Sequence, residues 1–221
     1  MTHTGGSHVY RGRRGFTLLE LLVVMALMGI VTSLGTTMFF RMTSYWNDLK
    51  NLTELDAMAG DAFSSMHQDF ADTLSARLSG VALQGISREA ENDPNYVDRD
   101  LEDDEIVLPI QTSGVGQRSL TGGRVRYLVE RDPSASTYTL VRFAGGLSDG
   151  GPPVGGRIPV IERANVIRLR FEYQPAGSSE WRPDWRDTTL PGAVRVSMTL
   201  SMPERSHLQV SRKAVFPIHV R

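Results

Sequence analysis

The sequence predicts an α+β chain, with one long amino-terminal helix whose first half spans a membrane and whose second half packs on antiparallel β-sheet. Three observations carry this. Leu21 to Phe40 contains no formal charge. Further on, apolar residues recur in steps of three and four from Leu49 to Leu78, which places them on one helical stripe. From Ile106 onward the period falls to two and turn-rich pieces separate the apolar runs, as sheet requires.

The charge-free run opens the argument. At about 1.5 Å rise per residue, roughly twenty residues make a helix about 30 Å long, the hydrocarbon thickness of a bilayer. A secretory signal carries a shorter apolar segment closed by small residues, and no Ala-x-Ala pattern follows this run. Arg11, Arg13 and Arg14 precede it and hold that side of the span in the cytoplasm. Met1 to Gly15 has little that can pack, and His3 and His8 within it read as solvated rather than as metal ligands. Glu20 sits near the start of the span. A carboxylate at the bilayer centre costs about 2.5 to 3.5 kcal/mol on insertion scales, so it needs a partner or a place near the headgroups at the helix N-terminus.

The 221 residues, 40% hydrophobic and 22% charged, suffice for an anchor plus one globular domain of ordinary size. The net charge of -1 provides no global field toward nucleic acid, and none is expected as a partner. There is no cysteine, which excludes disulfides, thiol nucleophiles and Cys-type zinc sites.

Arg11-Gly-Arg-Arg-Gly15 followed by Phe16-Thr-Leu-Leu-Glu20 closely resembles the class III signal of type IV prepilins and type II secretion pseudopilins. The resemblance implies a leader at 1–15, a transmembrane helix at 16–40 and a periplasmic globular domain at 41–221. It also implies cleavage by prepilin peptidase between Gly15 and Phe16, N-methylation of Phe16, and a role for Glu20 in subunit assembly through the terminal amine of a neighbour. The implied location is the bacterial inner membrane, single-pass, with a cytoplasmic amino terminus. Glycine before the cut leaves the scissile peptide unobstructed.

Beyond the span, Leu49, Leu52, Leu55, Ala59, Phe63, Met66, Phe70, Leu74 and Leu78 continue the helix to about residue 79 and supply the face for the domain's sheet. Gly29, Thr32, Ser33, Gly35 and Thr36 form a small-residue face that neighbouring helices can approach. Tyr45 and Trp46 suit the outer membrane interface. An acidic stretch at about 85–105, including Glu89, Glu91, Asp93, Asp98, Asp100, Glu102, Asp103, Asp104 and Glu105, lacks the EF-hand spacing and reads as a solvated loop rather than a calcium site. Strands are expected at 106–110, 125–130, 138–143, 158–162, 166–173, 193–200 and 214–220. The last but one alternates cleanly: Val194, Val196, Met198 and Leu200 against Arg195, Ser197 and Thr199. Ile167, Leu169, Phe171 and Tyr173 face away from Arg168, Arg170 and Glu172, with Val166 the exception. These two strands are expected to be antiparallel neighbours. The six glycines between Gly145 and Gly156 lack Gly-Lys-Ser/Thr and read as a connection, not a phosphate loop.

Ile161 to Tyr173, then Trp181-Arg-Pro-Asp-Trp185, then Leu190-Pro-Gly-Ala-Val194 resemble the J-type minor pseudopilin of type II secretion. That resemblance implies the pseudopilin fold and a structural subunit of the pseudopilus tip complex, which initiates assembly for protein secretion. Its implied partners are other minor pseudopilins, the major pseudopilin, prepilin peptidase and the inner membrane, with no cofactor and no metal. The alternative is a minor pilin of a type IV or competence pilus whose tip binds a surface or DNA. Arg163, Arg168, Arg170 and Arg182 with Trp181 and Trp185 are the nearest approach to such a surface, offset by Glu162, Glu172, Glu180 and Asp184. A tethered enzyme is disfavoured: His67, His207 and His219 are scattered, and neither Gly-x-Ser-x-Gly nor His-Glu-x-x-His occurs.

Overall fold

A computed structural model describes residues 16–73, 82–87, 104–112, 121–131, 137–146 and 155–218. Helix α1 (Leu18–Ala71) is followed by eight strands: β1 (Gln84–Ile86), β2 (Glu105–Thr112), β3 (Thr121–Arg131), β4 (Tyr138–Gly146), β5 (Gly155–Pro159), β6 (Asn165–Gln174), β7 (Ala193–Met202) and β8 (Arg205–Pro217). The chain divides into two units, residues 1–47 and 48–221. The first is described with the candidate site below. The second contains the α+β domain.

The expected antiparallel β-structure is arranged as a five-stranded sheet in the order β1-β2-β3-β4-β5 and a three-stranded sheet β6-β7-β8, every neighbouring pair antiparallel. The expected α+β packing holds. Leu55, Ala59, Ala62, Phe63, Met66 and Phe70 of α1 are buried, and they meet Ile106, Leu108, Val125 and Tyr127 of one sheet and Phe171, Val194, Val196 and Met198 of the other in one core. Phe216 on β8 stacks with Phe63 and Phe70, centroids 6.0 and 5.0 Å apart. Such aromatic pairs add about 0.5 to 1.5 kcal/mol each beyond burial.

Strand β6 explains its own exception. Val166 pairs with Leu200 and Arg168 with Thr199, so Ile167 is an extra residue in a bulge. The bulge resets the parity, burying Val166 with Leu169, Phe171 and Tyr173 and leaving Ile167 half-buried rather than on the core face as expected.

Other boundaries shift. The helix stops at Ala71, not near 79, because Thr73 leaves it to bridge to Ile110 on β2; Leu74 and Leu78 lie outside the described residues. The fifth strand ends at Pro159, and β8 begins nine residues before the expected 214, directly after a Pro203-Glu204 turn. Proline presets φ for the first turn position and so closes the β7–β8 hairpin.

The acidic stretch is also not all loop. Residues 88–103 lie outside the described residues, but Gln84–Ile86 form β1 and Glu105 begins β2. Glu105 is buried and receives Arg126 at 2.9 Å. Asp104 is buried, and its carboxylate accepts the Phe171 N–H at 2.7 Å.

Helix and strands are tied by a ladder of ion pairs: Asp48 with Arg205, Glu54 with Arg163, Asp56 with Arg212 and Asp69 with Arg142. The Arg212 guanidinium, bonded to Asp56 at 2.7 and 2.6 Å, holds that carboxyl below its ordinary value. Arg195 does the same to Glu172. A depressed folded-state pKa contributes stability above the unfolded value and loses it as pH falls through the folded one. Domain stability is therefore expected to hold from neutrality to about pH 4 and to decline below, more shallowly in Asp56→Asn, as thermal melts across that range will show. A chain beginning at Trp46 is expected to be soluble and to melt cooperatively. Aggregation would mean that the helix stripe does not close the core.

Candidate functional site

The amino-terminal site is built by the start of α1. The Thr17 Oγ1 accepts the Glu20 N–H at 3.3 Å and the Thr17 carbonyl accepts the Leu21 N–H at 3.2 Å. Thr17 is thus the N-cap and Glu20 the third helical residue, the Thr-x-x-Glu order of a capping box. The signal for this cap is present in the sequence as Thr17-Leu-Leu-Glu20. Capping explains why the helix begins at Leu18, leaving Phe16 outside it and 76% exposed. Gly15 lies outside the described residues, as do Arg11, Arg13 and Arg14.

From Phe16 to Trp46 every large apolar side chain is exposed, including Leu22, Leu27, Ile30, Val31, Leu34 and Phe40. The helix has a mean hydropathy of 2.2 over an 18-residue window and is long and apolar enough to cross a membrane. Four of its threonine hydroxyls bond back along the helix: Thr32 donates to the Met28 carbonyl, Thr36 to Thr32, Thr37 to Ser33 and Thr43 to Phe39, at 2.8 to 3.0 Å. In hydrocarbon such back-bonding removes the cost of an unpaired hydroxyl. A Cβ at Gly29 or Gly35 would meet nothing within 4 Å. Those positions are open notches on the helix surface.

Glu20 is the one carboxylate in this apolar surface between Phe16 and Trp46. Among the described residues its side chain has no hydrogen bond or ion pair; only its backbone N–H is engaged, with Thr17. Capping and the helix dipole favour a negative charge at this position.

The other candidates do not converge. Trp185 is 3% exposed, its indole donating to the Thr189 carbonyl at 2.9 Å. The guanidinium of Arg195 lies 4.3 Å from the centroid of the Trp181 ring. Arg163 pairs with Glu54 and Arg182 with Asp187. The tryptophans and arginines therefore do not form an exposed stacking platform of the kind single-stranded nucleic acid needs. His67 packs on Phe216 at 5.8 Å, His207 is exposed elsewhere on β8, and His219 lies outside the described residues.

The loop after β6 folds back on β6 and on β1. Gly85 exchanges both backbone hydrogen bonds with Trp185, at 2.9 and 3.0 Å, and Tyr173 exchanges both with Arg182, at 2.8 Å. The Tyr173 ring lies where a Cβ on Gly85 would be, 2.0 Å from its position, so only glycine admits the ring. Burial pushes the Tyr173 phenol well above its ordinary range, with the charges of Asp104, Asp184 and Glu105 adding to it.

Comparisons with known proteins bear on both parts. Residues 10–36 match the prokaryotic N-terminal methylation motif. The fold is similar to that of a type IV-like pilin from Thermus thermophilus, with a TM-score of 0.52 and 13% identity, covering 76% of this chain and 97% of that one. No curated protein matches the chain in sequence.

Proposed function

From the premise that this chain is a type IV pilin-like protein carrying a prepilin-type N-methylation motif, we propose that it is a minor pseudopilin of type II secretion. It is a structural subunit of the pseudopilus tip complex, not an enzyme. The observation that carries the subunit reading is Glu20: a carboxylate with no side-chain partner among the described residues, placed on the first turn of a helix whose large apolar side chains are exposed as far as Trp46. A group in that position has most to gain from a cation supplied by another helix.

In this reading prepilin peptidase removes residues 1–15 on the cytoplasmic face of the inner membrane and methylates Phe16. The helix over 16–40 anchors the subunit, and the domain over 41–221 stands in the periplasm. Other minor pseudopilins and the major pseudopilin are its partners. The notches at Gly29 and Gly35 allow their helices to approach closely. The J-type assignment rests on the sequence of residues 161–194, and the packing of Tyr173, Trp185 and Gly85 supports treating that stretch as one unit. The alternative, a pilus-tip adhesin or DNA receptor, finds less support, since Trp185 is buried and Trp181 covered.

Processing is tested by mass spectrometry of membrane-extracted protein from a host with active prepilin peptidase. The expected amino terminus is a methylated Phe16, and Gly15→Val is expected to block cleavage. A mature chain still beginning at Met1 would overturn the assignment. Context is tested by affinity purification from the native membrane. Co-purification with other minor pseudopilins supports the tip-complex reading, and recovery with pilus subunits instead overturns it.

A further inference from the structure

Where α1 runs along the three-stranded sheet, most charged side chains are already paired. Asp48 is paired with Arg205, Glu54 with Arg163 and Asp56 with Arg212. Lys213 lies on the opposite parity of β8 from Arg212, where its charge acts on Glu172. Asp61 differs from these. It is exposed, and among the described residues its carboxylate has neither an ion pair nor a hydrogen bond.

Asp61 lines an open cavity of about 700 Å³ on the flank of α1 beside β8. Thr53, Ala57, Gly60 and Ser64 recur there in steps of three and four, which keeps them on one side of the helix. Phe63 and His67 supply ring surface to the same cavity, and both rings rest on Phe216, with centroids 6.0 and 5.8 Å from it. On the strand side Arg212 closes on both carboxylate oxygens of Asp56, at 2.7 and 2.6 Å. Those two charges offset each other, so with His67 neutral the groove keeps the single negative charge of Asp61. Gly60 gives access to it. A Cβ at that position would meet only the Arg212 guanidinium, at 3.7 Å, an ordinary contact. The chain's own packing does not call for glycine there, although glycine weakens a helix interior relative to alanine. The missing side chain leaves a notch next to the free carboxylate.

We propose that this groove is a docking site for an arginine-bearing segment of another polypeptide, with Asp61 binding the guanidinium. Charge and shape both select this occupant. The one carboxylate without a partner calls for a cation, and an acidic segment would meet like charge. Among cations, the planar guanidinium bonds a carboxylate through two N–H groups and stacks on ring surface, whereas an ammonium acts as a compact, strongly hydrated point charge. The site lies outside the apolar run of α1 and rests neither on Glu20 nor on the secretion reading.

The test is a titration of the isotope-labelled full chain in neutral detergent micelles, followed through the amide resonances of Gly60, Asp61 and Ser64. The probes are three blocked alanine pentapeptides with arginine, lysine or glutamate at the centre. The arginine peptide is expected to shift these amides saturably, the lysine peptide to bind more weakly and the glutamate peptide to leave them unmoved. Asp61→Asn is expected to weaken binding of the arginine peptide by about tenfold or more, as loss of a charged hydrogen-bond partner does. Asp72→Asn removes another exposed carboxylate, outside the cavity, and is expected to change nothing. Gly60→Leu fills the notch with a better helix former and is expected to abolish binding. The Asp61→Asn result decides the matter even if Gly60→Leu fails to fold. No saturable shift, a response to the lysine or glutamate peptide equal to that for arginine, or undiminished binding by Asp61→Asn overturns the proposal. So does a shift of the same amides with rising protein concentration and no peptide, which assigns the groove to a second copy.

Discussion

Arg142→Ala is expected to destabilise the domain by about 3 to 5 kcal/mol, the cost of leaving a buried charge without its partner. Asp69 lies on the core face of α1 between Met66 and Phe70 and is 6% exposed. Arg142 on β4 binds it through both carboxylate oxygens, at 2.7 and 2.8 Å, and the Tyr127 hydroxyl on β3 donates to it as well. Burial and the Asp69 charge push the Tyr127 phenol above its ordinary range, so it remains a protonated donor at any working pH. Without Arg142 the carboxylate keeps one neutral hydrogen bond against the desolvation of a full charge. For a domain of this size the melting temperature falls by roughly 10 °C. The double replacement Asp69→Leu with Arg142→Leu removes both charges and leaves apolar volume, so it is expected to cost much less than either single change. Melts of the chain beginning at Trp46 decide the matter, and a double variant as unstable as the sum of the singles would refute the account.

Asp69 also shows where sequence reading stops. Helical periodicity places a residue on a face but cannot say that an acid on the apolar stripe has an arginine opposite it, because Arg142 is 73 positions away. The same holds for Gly85. In sequence it punctuates an acidic stretch; in space it is the one residue that lets the Tyr173 ring pass, and β1 exists through its pairing with β2 and with Trp185. Asp104 and Glu105 read as the end of a solvated run because charge identity says nothing of pairing. What was legible was periodic and local. Val194, Val196, Met198 and Leu200 are all buried as their alternation requires, and the β6–β7 pairing followed from two matched patterns. The division into two sheets was not legible, since it depends on which strand pairs with β5, and the period alone does not encode that. At the amino terminus the charge pattern marked Glu20, and the Thr17 cap was present in the sequence although unread.

On the proposed pseudopilin reading, Glu20→Leu is expected to yield a stable, cleaved, membrane-resident protein that no longer enters the tip complex. The carboxylate makes insertion harder, by about 2.5 to 3.5 kcal/mol were it at the bilayer centre, so leucine should raise rather than lower the amount in the membrane. Helix initiation survives, because Thr17 caps through its own hydroxyl to the backbone N–H of residue 20, which any side chain leaves intact. In the proposed assembly, what the variant loses is the negative group that would meet the amine of a neighbouring Phe16. In low-dielectric surroundings an ion pair of this kind is a strong selector of register between helices, because the misaligned state leaves both charges unpaired. Glu20→Gln, which keeps hydrogen bonding without the charge, should fall between the two. The chain has no native cysteine, so single cysteines placed at Gly29 or Gly35 report contact with neighbours directly through disulfide crosslinking in the membrane. Crosslinks present in the parent, reduced in Glu20→Gln and absent in Glu20→Leu, with equal protein in the membrane, establish the assembly role. Unchanged crosslinking in Glu20→Leu leaves Glu20 as an ordinary first-turn acid that favours the helix terminus and nothing more.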